Sequence, residues 1–404
     1  MYLHRHLEKV LKKAEKQTKV ILLTGARQVG KTTSIQATFP KYPYITLDDE
    51  NELALAQNDR ALFFQNRVFP MIIDEVQYEK ELLRTVKQIV DRETGKGRIF
   101  ITGSQTYELM SAASESLAGR VSILEMTGLS MRELTGVHFD EPFIPSASYL
   151  KRREKDLRPY RNLWGRIHRG TLPELLKRGR DREWFYRDYI RTYIERDVRR
   201  IVNIQNESAF RALLVSLAAR SGQMIIYDDI AKDIGVDIKT VQRWVSVIEG
   251  GGLIKILPPY HNNAIKRAIK TPKLYFLDCG LLCYLVGWKT AETAKNGAMN
   301  GQILETFVIS EIMKSFLNAG KSLDGLYYYR DKEKREIDLL IEDGRTLYPV
   351  EIKKAATIKP DWSKSFDVLK NIRDRKVAPS VVLCQTEKIL PVSQTSLAVP
   401  LHYV

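Results

Sequence analysis

Between Val20 and Leu134 short apolar runs alternate with stretches whose apolar residues recur at three and four. VILLT, FPMII and RIFIT are each one strand long. Strands alternating with helices predict a parallel sheet covered by helices. From Phe139 to Asn206 the chain turns basic and aromatic, and WFYRDYIRTYIERDVRRI repeats at helical spacing. Residues 207–275 read as short helices followed by two strand-like runs around a polar turn, the order of a winged helix. After Cys279 a long helical stretch precedes the strands YYYR, EIDLLI, YPVEIKK and SVVLC. The expected organisation is α/β multidomain: an α/β unit over 1–138, a basic helical connector over 139–206, a winged-helix segment over 207–275 and a second α/β unit over 276–404.

Composition narrows the class. With 404 residues the chain is long enough for two or three domains of roughly 150 residues. No apolar run approaches the roughly 20 residues that span a bilayer. The N-terminal MYLHRHLEKVLKKAEKQTK is a charged amphipathic helix without the apolar centre of a secretory signal, so no membrane association and a cytoplasmic location are expected. Cys279 and Cys283 stand in the apolar DCGLLCYLVGW without a CxxC pair or His partner, which predicts buried thiols rather than zinc ligands. The net charge of +15 concentrates in residues 151–200, where 17 Lys or Arg face 8 Asp or Glu, a net of +9. Such a surplus attracts a polyanion, with Arg152, Arg153, Arg199 and Arg200 as candidate contacts. It equally describes a helical surface laced with ion pairs.

The strand VILLT runs into Gly25, Ala26, Arg27, Gln28, Val29, Gly30, Lys31, Thr32 and Thr33 and then into a helix, the P-loop spacing in its strand–turn–helix context. Gly25 and Gly30 let backbone amides wrap phosphates, Lys31 brings charge to the β and γ groups, and the Thr32 hydroxyl suits Mg²⁺. The loop as a whole, Arg27 and Thr33 included, is the expected ATP-binding segment. Further on, the apolar run before Asp74 and Glu75 places one carboxylate for the metal and one for the attacking water at a strand end. The run RIFIT leads to Gly103 and Ser104, a polar tip positioned to sense the γ-phosphate or a plain turn.

Taken in order, TGARQVGKTT, ITLDDE, MIIDEVQ, ITGSQTYEL and ESLAGRVSILEMTGLSMREL, with YIRTYIERDVRRI downstream, resemble the prokaryotic AAA+-like ATPases that carry a C-terminal domain of uncharacterised function. The resemblance implies ATP and Mg²⁺ as cofactors and Ser104 as a sensor-type residue. It also implies that Arg120 contacts a nucleotide, in the same chain or in a neighbouring subunit of a homo-oligomer. By itself, an Arg beside a Gly at a helix end is a surface capping residue.

IIYDDIAKDIGVD followed by IKTVQRWVSVIE has two helices about a glycine turn, a helix-turn-helix signature. Lys239, Gln242 and Arg243 fall on the outer face of the second helix, Val241, Trp244 and Ile248 turn inward, and the wing carries Lys266, Arg267 and Lys270. DNA contact and a scaffold role both remain open, because Asp228, Asp229 and Asp233 on the first helix oppose backbone binding.

In the last unit Glu305 lies in a helical stretch, Asp338 in REIDLLI, and Glu351 and Lys353 in YPVEIKK. Side chains alternate along a strand, so Glu351 and Lys353 share a face and an adjacent strand can bring Asp338 beside them. Carboxylates suit Mg²⁺, and a lysine can hold or deprotonate a bound water. The constellation resembles the PD-(D/E)XK nuclease fold, with Ile337 where that motif has Pro. The resemblance implies metal ligation by Glu305, Asp338 and Glu351, with Lys353 catalytic. The combined expectation is an ATP-hydrolysing protein coupled to a nucleic-acid-directed nuclease domain, DNA being the favoured partner. The alternative is a non-cleaving ATP-driven switch that binds DNA or a protein through the same two units.

Overall fold

The computed structural model describes residues 2–104, 107–193, 206–261, 271–372 and 374–404. The first unit is built on β1 (Val20–Thr24), β2 (Tyr44–Thr46), β3 (Met71–Asp74), β4 (Ile99–Thr102) and β5 (Val121–Glu125), paired in the order β2-β3-β4-β1-β5. Every pairing is parallel. β1, β3 and β4 are buried along their whole length, which is why their sequences are continuous apolar runs rather than alternating ones. Their carboxyl ends bring the loop before helix Lys31–Thr38, Asp74 and Gly103 to one rim of the sheet, where ligands of such sheets bind.

Helix Arg182–Tyr193 buries Phe185, Tyr186, Tyr189 and Ile190. Helices Glu207–Ala219, Tyr227–Ile234 and Ile238–Gly250 follow, the last two joined through Gly235 at φ +69°. They lead into antiparallel β6 (Ile254–Leu257) and β7 (Lys273–Phe276). The long helical stretch expected after Cys279 is broken into Cys279–Leu285, Ala291–Asn296 and Asn300–Asn318. Gly287 at φ +80° turns the chain away after the first piece, and a Thr290–Thr293 capping box starts the second. Cys279 and Cys283 are buried, as the apolar setting predicts, and Cys384 is buried as well.

In the last unit β8 (Leu326–Arg330), β9 (Glu336–Asp343) and β10 (Thr346–Ile352) form an antiparallel meander. β11 (Lys376–Val377) and β12 (Ser380–Cys384) run parallel to β10, and β14 (Ser396–Pro400) follows β12, edged by β13 (Leu390–Ser393).

One cluster of buried apolar side chains passes through all of these units, including Leu7, Phe185, Trp244, Ile309 and Val399. Buried charges join them further: Arg5 Nε donates to Glu133 at 2.9 Å, and Glu311 accepts from the Met131 amide at 2.6 Å and from Lys314 at 2.8 Å. Each is paired, as a charge removed from water requires. No helix among the described residues is long and apolar enough to cross a membrane.

Candidate functional site

The P-loop geometry follows from its glycines. Gly25 has φ +141°, and a Cβ there would lie 2.0 Å from the Met126 carbonyl oxygen, so no side chain fits. Gly30, at φ +93°, turns the chain into helix Lys31–Thr38. The Lys31 ammonium is buried inside the loop, donating to the Gly25 and Ala26 carbonyls at 3.0 and 2.9 Å. Thr32 Oγ1 donates to Asp74 Oδ2 at 2.8 Å, joining the loop to the end of β3. Arg27 is half-buried and Thr33 exposed.

Asp74 is almost fully buried and gathers two further partners absent from the sequence reading. Tyr44 OH donates to its Oδ2 at 2.7 Å, and Thr102 donates to its Oδ1. The signal for both is positional only: they stand on β2 and β4, the strands that flank β3. These oxygens are hard donors of the kind Mg²⁺ takes, so Thr32 and Asp74 fit the ion. Glu75 sits in the left-handed region at φ +57°, and burial raises its carboxyl pKa, while Gln77, Lys31 and Arg27 act in the opposite direction. The Ser104 hydroxyl is buried at the tip of β4 and has no hydrogen-bond partner among the described residues. A cavity of about 1130 Å³ opens beside Gly30 and Thr33, walled by Tyr2, Arg5, Pro173 and Arg178.

Arg120 is not brought to this rim. It precedes β5 and its carbonyl accepts from the Val20 amide, at the amino end of the sheet. The whole length of β1 therefore separates it from Gly25, about 16 Å at the usual rise. Its guanidinium pairs with Asp91 and donates to the Ala118 carbonyl at 2.9 Å, which corrects the expectation of a contact within the same chain.

The second cluster lies in the C-terminal unit. Register pairs Leu339 with Val350, which sets Asp338 across from Glu351. Asp338 accepts from the Ile352 amide at 2.7 Å, and Lys353 Nζ is 2.5 Å from Glu351. Burial and the neighbouring carboxylates push Glu351 up to about 8, and burial and Asp338 push Glu305 up to about 7. The expected three-carboxylate ligand set is not assembled: among the described residues no group of three or more His, Cys, Asp or Glu is placed to hold a metal ion. The physical reason is Lys273, a residue that no spacing or motif singles out. Its buried ammonium lies 2.5 Å from Glu336 and 3.3 Å from Glu305, and Tyr275 OH donates to Glu305 at 2.7 Å. A lysine from β7 thus supplies the positive charge, and Glu305 turns toward it.

Lys239, Gln242 and Arg243 are exposed on helix Ile238–Gly250 while Val241, Trp244 and Ile248 are buried, as their spacing predicts. Asp228 pairs with Lys232 and Asp233 with Arg220. Lys266, Arg267 and Lys270 of the expected wing, and Arg199 and Arg200 of the connector, lie outside the described residues. Arg152 pairs with Glu141 at 2.6 Å, and Arg153 is fully buried, donating to the His402 carbonyl at 2.8 Å. Arg153 is therefore structural, whereas Arg152 stands at the surface in an ion pair.

The rim of an all-parallel sheet carrying a P-loop lysine, a Thr–Asp pair and a neighbouring glutamate defines a P-loop nucleotide site. Residues 17–135 match the family model described as an AAA domain, so this unit is an AAA-like ATPase domain. Residues 160–292 and 300–404 match two models described as domains of unknown function, DUF8612 and DUF4143. The chain is 29% identical over 392 residues to the uncharacterized proteins Mb2031c of Mycobacterium bovis and Rv2008c of Mycobacterium tuberculosis, covering 96% of this chain and 82% of each relative. Among solved structures, the Walker-type ATPase PABY2304 of Pyrococcus abyssi aligns at 15% identity with a TM-score of 0.41, over 69% of this chain and 94% of that one. A STAND protein with a tetratricopeptide repeat sensor, PH0952 of Pyrococcus horikoshii, aligns at 13% identity with a TM-score of 0.27, over 77% of this chain and 47% of that one.

Proposed function

We propose that the chain binds ATP with Mg²⁺, hydrolyses it, and uses the cycle to switch a nucleic-acid-directed assembly, DNA being the favoured partner. The observation that carries the reading is the Thr32–Asp74 bond, which sets both metal-binding groups beside Lys31 and Glu75. The cavity against Tyr2, Arg5, Pro173 and Arg178 accommodates the nucleoside. Lys31 holds the β and γ phosphates, Glu75 orients water and takes its proton, and Ser104 donates toward the γ-phosphate. Thr32 and Asp74 would hold Mg²⁺, which would neutralise charge on the phosphate oxygens. Arg120 serves only across a subunit boundary, as an arginine supplied to a second copy. The test is phosphate release by wild type, Lys31→Ala and Glu75→Gln. Loss of nucleotide binding in the first and retention of binding without turnover in the second support the reading; full turnover by Glu75→Gln ends it.

The units downstream support the switch. Exposed Lys239, Gln242 and Arg243 form a face that fits a nucleic-acid groove. Phosphodiester cleavage is the second reading, carried by Asp338, Glu351 and Lys353 meeting on neighbouring strands. Lys273 favours the non-cleaving alternative, because it already neutralises the carboxylates a metal would need.

A further inference from the structure

Gln77 is two residues beyond Glu75, on the short helical turn Val76–Tyr78 that the left-handed Glu75 initiates. Its side chain reaches two groups of the nucleotide rim at once. The amide nitrogen donates to Glu75 Oε2, and the amide oxygen accepts from the Ser104 backbone N–H at 3.2 Å. These partners fix the amide's orientation, since only its nitrogen can donate to a carboxylate and only its oxygen can accept from an N–H. The adjacent position is shaped for the contact: a Cβ on Gly103 would fall 2.6 Å from the Gln77 amide oxygen and 2.9 Å from Leu109. Any other residue there would displace the amide. Beside it, the buried Ser104 hydroxyl has no partner among the described residues.

We propose that Gln77 is a positioning residue that ties Glu75 to the Ser104 tip, so that one carboxylate oxygen is held by the amide and the other is presented to the attacking water. The proposal rests on ATP hydrolysis through Glu75. Holding one oxygen leaves the carboxylate a single orientation instead of a rotating pair, and a base must be oriented to act. Because the same amide grips the Ser104 backbone, a shift of that tip on phosphate contact or release is passed to Glu75 through two hydrogen bonds. Gln77 acts through Glu75 and Ser104, the two groups its side chain holds.

The experiment compares wild type with Gln77→Ala and with Gln77→Glu, which keeps the shape and removes the donor. Single-turnover hydrolysis and binding of a fluorescent ATP analogue are measured for each, in the wild-type and Glu75→Gln backgrounds. Both Gln77 variants are expected to bind the analogue as wild type does and to lose about tenfold in hydrolysis rate. On the residual single-turnover rate of Glu75→Gln, measured over long incubation, the same changes are expected to cost nothing further, since residues acting as a unit are not additive. A hydrolysis rate unchanged in both variants, or a loss that persists undiminished when Glu75 is already Gln, overturns the tie. Should Gln77→Ala lose analogue binding, the nearly isosteric Gln77→Glu decides alone. Absence of turnover in wild type is a different result: it removes the hydrolysis reading and this proposal with it.

Discussion

Thr32 and Asp74 meet at 2.8 Å, hydroxyl to carboxylate, across the gap between the P-loop helix and the end of β3. That contact marks where a hard cation would be held, and Asp74 is oriented for it by Tyr44 and Thr102. Asp74→Ala is therefore expected to lower hydrolysis by roughly two to three orders of magnitude while binding of ATP in EDTA is kept. Chelating Mg²⁺ should do the same to wild type. Hydrolysis by Asp74→Ala at the wild-type rate would remove Asp74 from the site.

The buried carboxylate of Glu133 joins the N-terminal segment to the end of the ATPase unit. It accepts from Arg5 Nε at 2.9 Å, from the His6 amide at 2.9 Å and from the Ser130 amide at 2.7 Å. Burial alone would raise its pKa, but Arg5, His6 and the amides together lower it. Since the folded-state pKa is depressed, the group contributes stability above its unfolded pKa and loses it as pH falls through the folded value. Glu133→Ala, which leaves Arg5 buried without its carboxylate, is expected to cost about 3–5 kcal/mol. Thermal denaturation should show a lower Tm at neutral pH and a smaller fall in Tm on acidification than wild type. An unchanged Tm would show that Arg5 is satisfied without it.

Local pattern made the ATP rim legible. Strand, glycine loop and helix lie in one continuous stretch, and each P-loop residue acts through its neighbours. The same holds for the outward face of helix Ile238–Gly250, where a period of three to four separates Lys239 and Arg243 from Val241 and Trp244. Long-range contacts were not legible. Lys273 reaches Glu305 from a strand 32 residues earlier, and no spacing in the sequence encodes that approach. Tyr44 meets Asp74 only because β2 happens to pair with β3. Arg120 shows the converse: it lies near the P-loop in a motif-based reading, yet strand direction carries it to the opposite end of the sheet.

The proposed nucleic-acid binding by the connector would depend on which arginines are free. Arg161 and Arg166 make no side-chain hydrogen bond or ion pair among the described residues and line a cavity of about 480 Å³, whereas Arg152 is paired with Glu141. Charge reversal at Arg161 and Arg166 is expected to flatten the dependence of log affinity on log salt by about one for each phosphate that is no longer neutralised. Reversal of Arg152 should leave the slope unchanged. Fluorescence-anisotropy titrations of a short DNA duplex at several salt concentrations measure both. A slope indifferent to Arg161 and Arg166 would place the partner elsewhere.

Carboxylates brought close together repel unless a cation stands among them, and in this chain Lys273 is that cation for Glu305 of helix Asn300–Asn318 and Glu336 of β9, with Lys353 beside Glu351. Mg²⁺ entering such a cluster must compete with a fixed ammonium, so the Tm of wild type is expected to be the same with and without it. Lys273→Ala removes the internal charge and leaves Glu305 without a cation, while Glu336 keeps Arg330, a loss of about 3–5 kcal/mol. Mg²⁺ or Mn²⁺ should then restore part of that loss, because oxygen ligands without a counter-charge suit a hard ion. Plasmid nicking by wild type, assayed in parallel, separates the two readings of this unit. Metal-dependent nicking that disappears in Asp338→Ala and Lys353→Ala, together with a metal-induced rise in wild-type Tm, would show that the ion displaces Lys273 and that the unit cleaves. No nicking, with metal rescue confined to Lys273→Ala, assigns the lysine the cation's place and leaves the C-terminal unit to bind rather than cut.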